Sequence, residues 1–232
     1  MFFKKKKTDE RSYSGIIVAD NPTSIVSEQF RTIRTNIQFS MVDRELKTLS
    51  ITSAAPKSGK STLASNLAGA FAAQGLKVLL VDADMRKPTI HKIFHVQNHP
   101  GLTNLLTDRS LHVEDIVRHS YIENLHYITC GIIPPNPSEL LNSNRMSELI
   151  REMEEHYDLV IFDNPPLLAV TDAQIMATKV DGTIMVVPQG EVKKAELDQA
   201  AELLEKVNAN VLGAVLNKVD ADSDTYYYYG QE

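Results

Sequence analysis

The sequence is poor in cysteine and in long apolar runs. Cys130 is the single cysteine among the 232 residues, which excludes an internal disulfide framework and fits a reducing compartment. No apolar run approaches the roughly 18–20 residues that a membrane-spanning helix requires, and no apolar stretch typical of a secretory signal follows the first lysines. We therefore expect a cytosolic protein.

The charge balance is mildly acidic, with 24 Lys and Arg residues against 30 Asp and Glu residues and a net charge of −6 at pH 7. This balance disfavours a nucleic-acid partner, because proteins that bind nucleic acid usually present a basic surface. Hydrophobic residues make up 43% of the chain and charged residues 23%, which provides enough apolar surface for a core. The composition therefore predicts a folded protein of one domain.

The two ends of the chain differ in composition from the rest. Residues 1–20 contain the basic run Lys4–Lys7 and are predicted to be a flexible N-terminus, followed by a folded domain over 21–218 and a flexible tail over 219–232. A solvated basic run is the simpler interpretation, and a contact with an anionic membrane surface is the alternative. Four basic residues at about 1 kcal/mol each give only a millimolar affinity, which would assist a membrane partner without anchoring the chain.

Apolar strand candidates alternate with helix candidates from residue 46 onward. Several strand candidates are continuous apolar runs, which are typical of strands buried on both faces. This alternation predicts an α/β fold, with a mostly parallel sheet covered by helices on both faces. The predicted strands are 46–53, 78–82, 125–129, 159–162, 182–187 and 211–217, and the predicted helices are 23–39, 60–74, 138–157 and 191–208.

The strongest motif is the segment 53–62, which follows a strand and opens a helix, as a P-loop requires. In such a loop the backbone N–H groups and the helix N-terminus hold phosphate oxygens. Lys60 would reach the β- and γ-phosphates and Ser61 would ligate Mg²⁺, while Thr62 would face the α-phosphate. Ala54 stands where the usual pattern has its first glycine, and a helix-capping loop without a ligand is the alternative. The predicted nucleotide-binding residues are Ala55, Pro56, Lys57, Ser58, Gly59, Lys60, Ser61, Thr62 and Asn217.

Acidic residues follow two of the apolar strands. Asp82 is the last residue of the strand 78–82 and Asp84 lies two residues beyond it, while Asp163 directly follows the strand 159–162. Ligands of parallel sheets bind at the carboxyl ends of strands, so these acids suit a metal ion and a base for a hydroxyl proton. An amide at the end of the last strand would hydrogen-bond adenine, with a simple turn residue as the alternative. The predicted catalytic residues are Lys60, Asp82 and Asp84, the predicted magnesium ligands are Ser61, Asp82 and Asp163, and the predicted adenine contact is Asn217.

A charged stripe runs along the first predicted helix. Glu28, Arg31 and Arg34 are spaced three residues apart, which places them along one side of a helix. A solvated face with a local Glu–Arg pair is one interpretation. The other is a contact between subunits of an oligomer.

The C-terminal tail contains four consecutive tyrosines, preceded by Asp222 and Asp224. A buried strand is a poor interpretation, because no later segment could pair with it. Two interpretations stay open: an aromatic docking patch and a set of phosphoryl acceptors. The candidate acceptors are Tyr226, Tyr227, Tyr228 and Tyr229.

Together these motifs resemble the bacterial tyrosine kinases, or BY-kinases, that regulate capsule and exopolysaccharide synthesis, in the stand-alone form of Gram-positive bacteria. The resemblance covers residues 20–232 and implies a P-loop NTPase-like kinase domain that uses ATP and Mg²⁺. It also implies that the acids serve catalysis and metal binding, that the charged stripe packs subunits into a ring, and that the tail tyrosines are autophosphorylated. The resemblance rests on Glu28-x-x-Arg31-x-x-Arg34, Ser53 to Thr62, Leu80 to Pro88, Pro134 to Leu141, Asp163 to Pro166, Leu216-Asn217-Lys218 and the tyrosine cluster.

The resemblance further implies partners. Relatives of this type resemble half of a split system whose other half is a transmembrane adaptor of the polysaccharide co-polymerase type, which would recruit the cytoplasmic kinase to the inner face of the membrane. A phosphotyrosine phosphatase would reverse the reaction. The chain departs from the family at Lys57, Ser58 and Asn164, which we expect to affect the turnover rate rather than the reaction class.

Two other functions compete with this interpretation. A partitioning or septum-positioning ATPase of the ParA/MinD type has a related fold, but its second P-loop lysine corresponds to Ala55 here. A non-catalytic scaffold that binds nucleotide to assemble an export complex is the third possibility. The intact set of Lys60, Asp82, Asp84 and Asp163 argues against the scaffold.

Overall fold

A computed structural model describes residues 15–41 and 45–219. Within these residues a single sheet of seven strands runs through the domain. The strands are β1 (Thr48–Ser53), β2 (Val78–Asp82), β3 (Arg118–His119), β4 (Leu125–Ile128), β5 (Leu159–Asp163), β6 (Gly182–Pro188) and β7 (Val211–Asn217).

The spatial order of the strands is β3-β4-β2-β5-β1-β6-β7. The short strand β3 pairs antiparallel with β4, and every other neighbouring pair is parallel. The carboxyl ends of the six parallel strands therefore meet at one edge of the sheet, which is where α/β proteins bind ligands. The predicted six-strand, mostly parallel α/β fold is confirmed, and β3 is an additional strand at the sheet edge.

Helices cover both faces of this sheet. They are α1 (Ile17–Asp20), α2 (Ile25–Ser40), α3 (Lys60–Ala72), α4 (Ile90–Ile93), α5 (Leu102–Thr107), α6 (Val113–Ile116), α7 (Pro137–Asn142), α8 (Asn144–His156), α9 (Asp172–Ala177) and α10 (Lys194–Lys206). Alternate side chains of a strand point to opposite faces, so Leu80 packs in one apolar cluster with α3 while Val81 packs in another with α8. A third, smaller cluster lies under α9 and α10.

The predicted domain start at residue 21 is too late. Ile16 is fully buried, and α1 lies against α3. The Asn66 side chain holds this segment, because its Nδ2 donates to the Gly15 carbonyl at 2.8 Å and its Oδ1 accepts from the Val18 N–H at 3.2 Å. The buried isoleucine and these hydrogen bonds place residues 15–20 inside the domain. The basic run Lys4–Lys7 lies outside the described residues.

The single helix predicted over 138–157 is wrong, because two helices, α7 and α8, occupy this range. Ser143 separates them in an extended conformation, with φ −67° and ψ 156°, and its side chain accepts a hydrogen bond from the Met146 N–H. A serine that caps the first turn of a helix in this way ends the preceding helix. Over the described residues, no helix is both long and apolar enough to cross a membrane.

Candidate active site

The loop between β1 and α3 is the predicted P-loop, and it is fixed by its own polar groups. The hydroxyls of Ser53 and Ser58 both donate to the Ala55 carbonyl, at 2.7 and 2.6 Å. Lys57 and Gly59 have positive φ values of 62° and 87°, which a glycine adopts without the steric cost that other residues meet. The loop therefore turns sharply from the strand into the N-terminus of α3.

Asn217, at the end of β7, lies against this loop. Its Nδ2 donates to the Ser58 carbonyl at 2.9 Å, and a Cβ atom at Gly59 would lie 2.2 Å from the same nitrogen. The structure thus places Asn217 with the predicted nucleotide-binding residues, where it supports the loop backbone. An adenine contact stays a prediction, and the Nδ2 group is already engaged within the chain.

Lys60, Ser61 and Thr62 form the first turn of α3. Lys60 is buried, with 8% of its surface exposed, while Ser61 is half-buried and Thr62 is exposed. The Lys60 ammonium and the Ser61 hydroxyl both lower the pKa of Asp163, so the three groups lie close together. The predicted convergence of the P-loop lysine and serine with Asp163 is present in the fold.

Asp82 and Asp163 are neighbours at the carboxyl edge of the sheet. They are paired in register across β2 and β5, and both are fully buried. Burial raises the pKa of Asp163 to about 7, and the nearby Asp84 acts in the same direction, against the effects of Lys60 and Ser61. Burial is also the main reason that the pKa of Asp82 lies well above its usual value, with the Asp163 charge as the second cause.

Several carboxylate oxygens in this pair lack a well-formed hydrogen bond. Asp82 Oδ2 accepts from the N–H groups of Thr89 and Ile90, each at 2.9 Å. In contrast, Asp82 Oδ1 and both carboxylate oxygens of Asp163 are buried without a hydrogen bond of good geometry to any described residue. Buried carboxylate oxygens that lack a good hydrogen bond are costly, so these oxygens are suited to a ligand.

The unpartnered oxygens fit a hard cation, because Mg²⁺ prefers oxygen ligands and is commonly held by one or two carboxylates plus substrate phosphates. No group of three or more His, Cys, Asp or Glu side chains in the described part of the chain is arranged to hold a metal by itself. The geometry therefore suits a cation shared with a phosphate ligand rather than an all-protein cage.

Asp84 stabilises the segment that follows β2. Its Oδ1 accepts from the N–H groups of Arg86 at 3.3 Å and Lys87 at 2.9 Å. Arg86 in turn forms a bidentate pair with Asp172, Nε to Oδ2 at 2.9 Å and Nη2 to Oδ1 at 3.1 Å. Arg86 lies within the motif recognised in the sequence, whereas no sequence pattern pointed to Asp172, which is fully buried at the start of α9.

The side chain of Asn164 is also buried beside this edge. Its Nδ2 donates to the Ser50 hydroxyl at 2.9 Å and to the Phe162 carbonyl at 3.1 Å. Asn164 therefore binds the turn after β5 to β1 and fixes the backbone that carries Asp163.

The charged stripe lies on α2, as predicted, and its arginines have partners within the chain. Arg31 pairs with Glu28 and donates to the Pro22 carbonyl at 2.6 Å. Arg34 donates to the Ala70 carbonyl at 2.8 Å, near the end of α3. A role of Glu28, Arg31 and Arg34 between subunits stays a prediction.

The predicted phosphoryl acceptors belong to the tail, of which only Val219 is among the described residues. The position of these acceptors relative to the site is therefore not described here. Their role as acceptors stays a prediction. The residues concerned, all outside the described ranges, are Tyr226, Tyr227, Tyr228 and Tyr229.

Known proteins share both the sequence and the fold. The sequence profile of a family described as "AAA domain" matches residues 46–213. Over 228 residues the chain is 47% identical to the tyrosine-protein kinase YwqD of Bacillus subtilis, covering 97% of this chain and 95% of that protein. It is 44% identical to the CapB protein of Staphylococcus aureus, with 99% of each chain covered.

A solved structure, the kinase domain of the Escherichia coli tyrosine kinase ETK, superposes with a TM-score of 0.85 at 38% identity, covering 93% of this chain and 84% of that one. The septum site-determining protein MinD of Pyrococcus horikoshii is more distant, with a TM-score of 0.62 at 23% identity. The MinD likeness extends to the fold alone, so the ParA/MinD alternative is not supported. The chain is almost half identical to two proteins over nearly their full length, and one of them, YwqD, is named a tyrosine-protein kinase. This similarity shows that the chain belongs to the bacterial tyrosine-protein kinase family.

Proposed function

We propose that this protein transfers the γ-phosphoryl group of ATP to tyrosine, and that its own residues Tyr226–Tyr229 are acceptors. The observation that carries the proposal is the convergence of Lys60 and Ser61 with the buried pair Asp82 and Asp163 at one edge of the sheet. This is an arrangement for holding phosphate and metal together, as phosphoryl transfer requires.

ATP would bind with its phosphates in the loop 54–59. Backbone N–H groups and the N-terminus of α3 attract phosphate oxygens, and the buried Lys60 adds a full positive charge. Because Asn217 holds the Ser58 carbonyl, the loop is already shaped before the nucleotide arrives, which lowers the entropy cost of binding.

Magnesium would be held by Ser61, Asp82 and Asp163. When bound, the ion neutralises charge that develops on the phosphate oxygens. Two buried carboxylates side by side repel each other. A cation at this position would therefore lower the raised pKa values of Asp82 and Asp163 and stabilise both carboxylates in their charged form.

The transfer step needs a proton acceptor beside the tyrosine hydroxyl. Asp82 suits this role, because its Oδ2 is fixed by two backbone N–H groups while Oδ1 is left to take the proton. The phenolic oxygen bonds to the γ-phosphorus, the bond from that phosphorus to the bridging oxygen breaks, and ADP leaves. Asp84 would keep the loop 84–87 in place and add negative charge near the hydroxyl.

The acceptor tyrosines would come from the tail that follows β7. That strand ends at the same edge as the loop, so the tail begins on the active-site side of the sheet. Tyr226 lies seven residues beyond Val219, at most about 25 Å when fully extended. We propose a ring-like homo-oligomer in which the tail of one subunit reaches the site of another.

The wider role follows from the family. We propose that the protein is cytoplasmic, that a transmembrane adaptor of the polysaccharide co-polymerase type recruits it to the inner face of the membrane, and that the cycle regulates capsule or exopolysaccharide synthesis. A phosphotyrosine phosphatase would complete the cycle. Adding the cytosolic peptide of the adaptor should raise the labelling rate or the affinity for ATP, and equal values with and without it would remove the adaptor from the proposal.

The direct test compares the wild type with Lys60→Met in Mg²⁺ and ATP labelled on the γ-phosphate. The wild type should incorporate label into protein, and the variant should incorporate none while unfolding at a similar temperature. Full labelling of the variant would refute the assignment of the loop. Tight nucleotide binding by a wild type that never labels itself would instead support the scaffold function.

A further inference from the structure

A pocket of about 320 Å³ lies between α8 and the segment that follows α9. Positions 147, 150, 151 and 154 follow the spacing i, i+3, i+4, i+7, which places them on one face of α8. The volume is at the small end of the range of pockets that bind small molecules, about 300–1,000 Å³. The lining residues are Ser147, Ile150, Arg151, Glu154, Thr178 and Lys179.

This pocket lies toward the edge of the sheet opposite to the P-loop. Lys179 comes three residues before β6, whose first residue, Gly182, pairs with Leu49 near the start of β1. The P-loop instead follows Ser53, the last residue of β1. The two sites therefore lie near opposite ends of β1, which is about 17 Å long, and a ligand of the pocket would not share the nucleotide site.

Two cations of the pocket lack an acidic partner. The half-buried Lys179 donates from Nζ to the Ser147 hydroxyl at 2.8 Å, and the Arg151 side chain is exposed. Within residues 15–41 and 45–219, no carboxylate forms an ion pair with either cation. Burial lowers the pKa of Lys179, as expected for an ammonium that loses water without gaining a charge partner. Two such cations beside one cavity indicate an anionic ligand.

The pocket also contains one carboxylate, Glu154. Burial is the main reason that the pKa of Glu154 is raised, with the charge of Asp181 as the second cause, while Lys47 and Arg151 act in the opposite direction. A carboxylate repels an anion but accepts hydrogen bonds from hydroxyl groups. The lining therefore suits a ligand that carries an anionic group and hydroxyl donors in one molecule.

We propose that this pocket binds a phosphorylated sugar. The phosphate would lie against Lys179 and Arg151, since lysine and arginine are the usual partners of phosphate, and sugar hydroxyls would donate to Glu154. The Ser147 hydroxyl accepts from Lys179 and keeps its own hydrogen for the ligand. Ile150 is the one apolar residue among the six that line the pocket, so an aromatic base would gain little from packing there.

Equilibrium dialysis with radiolabelled glucose 1-phosphate tests the proposal. The protein is kept saturated with Mg²⁺ and a non-hydrolysable ATP analogue, so that the P-loop is occupied. We expect one molecule to bind per chain. The affinity should be about tenfold lower in Lys179→Gln and about fivefold lower in Arg151→Gln, because each variant loses a charge-assisted hydrogen bond to the phosphate. Absence of binding, or equal affinity of the wild type and both variants, would overturn the proposal.

Inorganic phosphate and free glucose test whether the sugar is recognised together with the anion. Each should bind at least about tenfold more weakly than glucose 1-phosphate. In Glu154→Ala the preference for glucose 1-phosphate over inorganic phosphate should fall about fivefold, because the variant loses the acceptor for the hydroxyls and the charge that repels phosphate. Inorganic phosphate that binds as tightly as glucose 1-phosphate would make the pocket a site for anions alone and refute the sugar.

Two further variants locate the bound probe. Lys194→Gln, at an exposed lysine that begins α10 outside the pocket, should bind glucose 1-phosphate within about twofold of the wild type. Lys60→Met, dialysed without the ATP analogue, should do the same, whether or not the chain transfers phosphate to tyrosine. A loss of binding in Lys60→Met as large as that in Lys179→Gln would place the probe in the P-loop and overturn the proposal.

Discussion

Asn217 donates a hydrogen bond to the Ser58 carbonyl at 2.9 Å, which joins the last strand of the sheet to the phosphate-binding loop. Replacing Asn217 with Ala removes a bond worth about 1 kcal/mol, so nucleotide affinity should fall about fivefold. Titration with a fluorescent nucleotide measures this change. An unaltered affinity would show that the hydrogen bond from Asn217 does not contribute to nucleotide binding by the loop.

Gly59 and Asn217 are in close contact, which gives a second, coupled prediction. An added Cβ at Gly59 would lie 2.2 Å from Asn217 Nδ2, and φ at this position is 87°. Gly59→Ala should therefore nearly abolish nucleotide binding. Combining it with Asn217→Ala relieves the clash but not the backbone strain, so the double variant should recover only part of the affinity. Full binding by Gly59→Ala alone would show that the loop has a different conformation in solution.

The Arg86–Asp172 pair should stabilise the segment after β2. Asp172 is fully buried, while 39% of the Arg86 side chain is exposed. Arg86→Ala leaves a buried carboxylate without its charge partner, so the free energy of unfolding should fall by about 2 kcal/mol. Lys87→Ala, at the exposed neighbouring residue, is the matched control and should cost less than about 0.5 kcal/mol. Equal losses in urea unfolding would mean that the ion pair does not stabilise the fold.

The α2 arginines differ in their contacts, so single substitutions should separate assembly from folding. Arg31→Ala removes only exposed contacts, and it should shift the protein toward monomer in sedimentation velocity with little change in unfolding temperature. Arg34→Ala should also destabilise the monomer, because it removes the hydrogen bond to the Ala70 carbonyl. A wild type that already sediments as a monomer, or an Arg31→Ala variant of unchanged mass, would count against the predicted ring.

His126 should make stability depend on pH. Burial, together with the charges of His119 and Lys77, lowers the pKa of His126, and its Nδ1 lies 2.9 Å from the Tyr157 hydroxyl. Burial raises the pKa of Tyr157 to about 12, so it stays neutral. The pKa of His126 in the folded protein is below the unfolded value of about 6.5. The contribution of His126 to the free energy of unfolding is therefore complete above pH 6.5 or so and is lost as the pH falls through the folded pKa.

The variant His126→Gln isolates the effect of this residue, because a glutamine side chain does not titrate. Between pH 7.5 and pH 5, the free energy of unfolding should fall more steeply in the wild type than in the variant. Parallel pH profiles would show that His126 titrates alike in the folded and unfolded states.

Much of this architecture could be predicted from sequence because its signals are local. The apolar runs that end in Asp82 and Asp163 predict buried strands, and the loop before Lys60 predicts the turn into α3. The register that pairs Asp82 with Asp163 depends on strand order, which no local pattern specifies. The sequence pattern does not predict the break at Ser143, because the apolar periodicity continues through both helices and a single cap sets the boundary.

Contacts distant in sequence account for the rest of what was missed. The sequence around Ile16 predicts a flexible terminus, because its partner, α3, lies some fifty residues away. Asp172 has no recognisable motif, and its role depends wholly on the approach of Arg86. Ser147, Arg151 and Lys179 are ordinary polar residues in the sequence, and the pocket that they line is visible only in the fold.

The central claim is that this site transfers phosphate to the chain's own tyrosines. The most direct measurement is to incubate the purified protein with Mg²⁺ and ATP labelled on the γ-phosphate, digest it, and identify the labelled residue. The account predicts phosphotyrosine within 226–229, which is lost in Lys60→Met and when the four tyrosines are replaced by Phe. Release of free phosphate without labelled tyrosine, or label that persists in Lys60→Met, would contradict it.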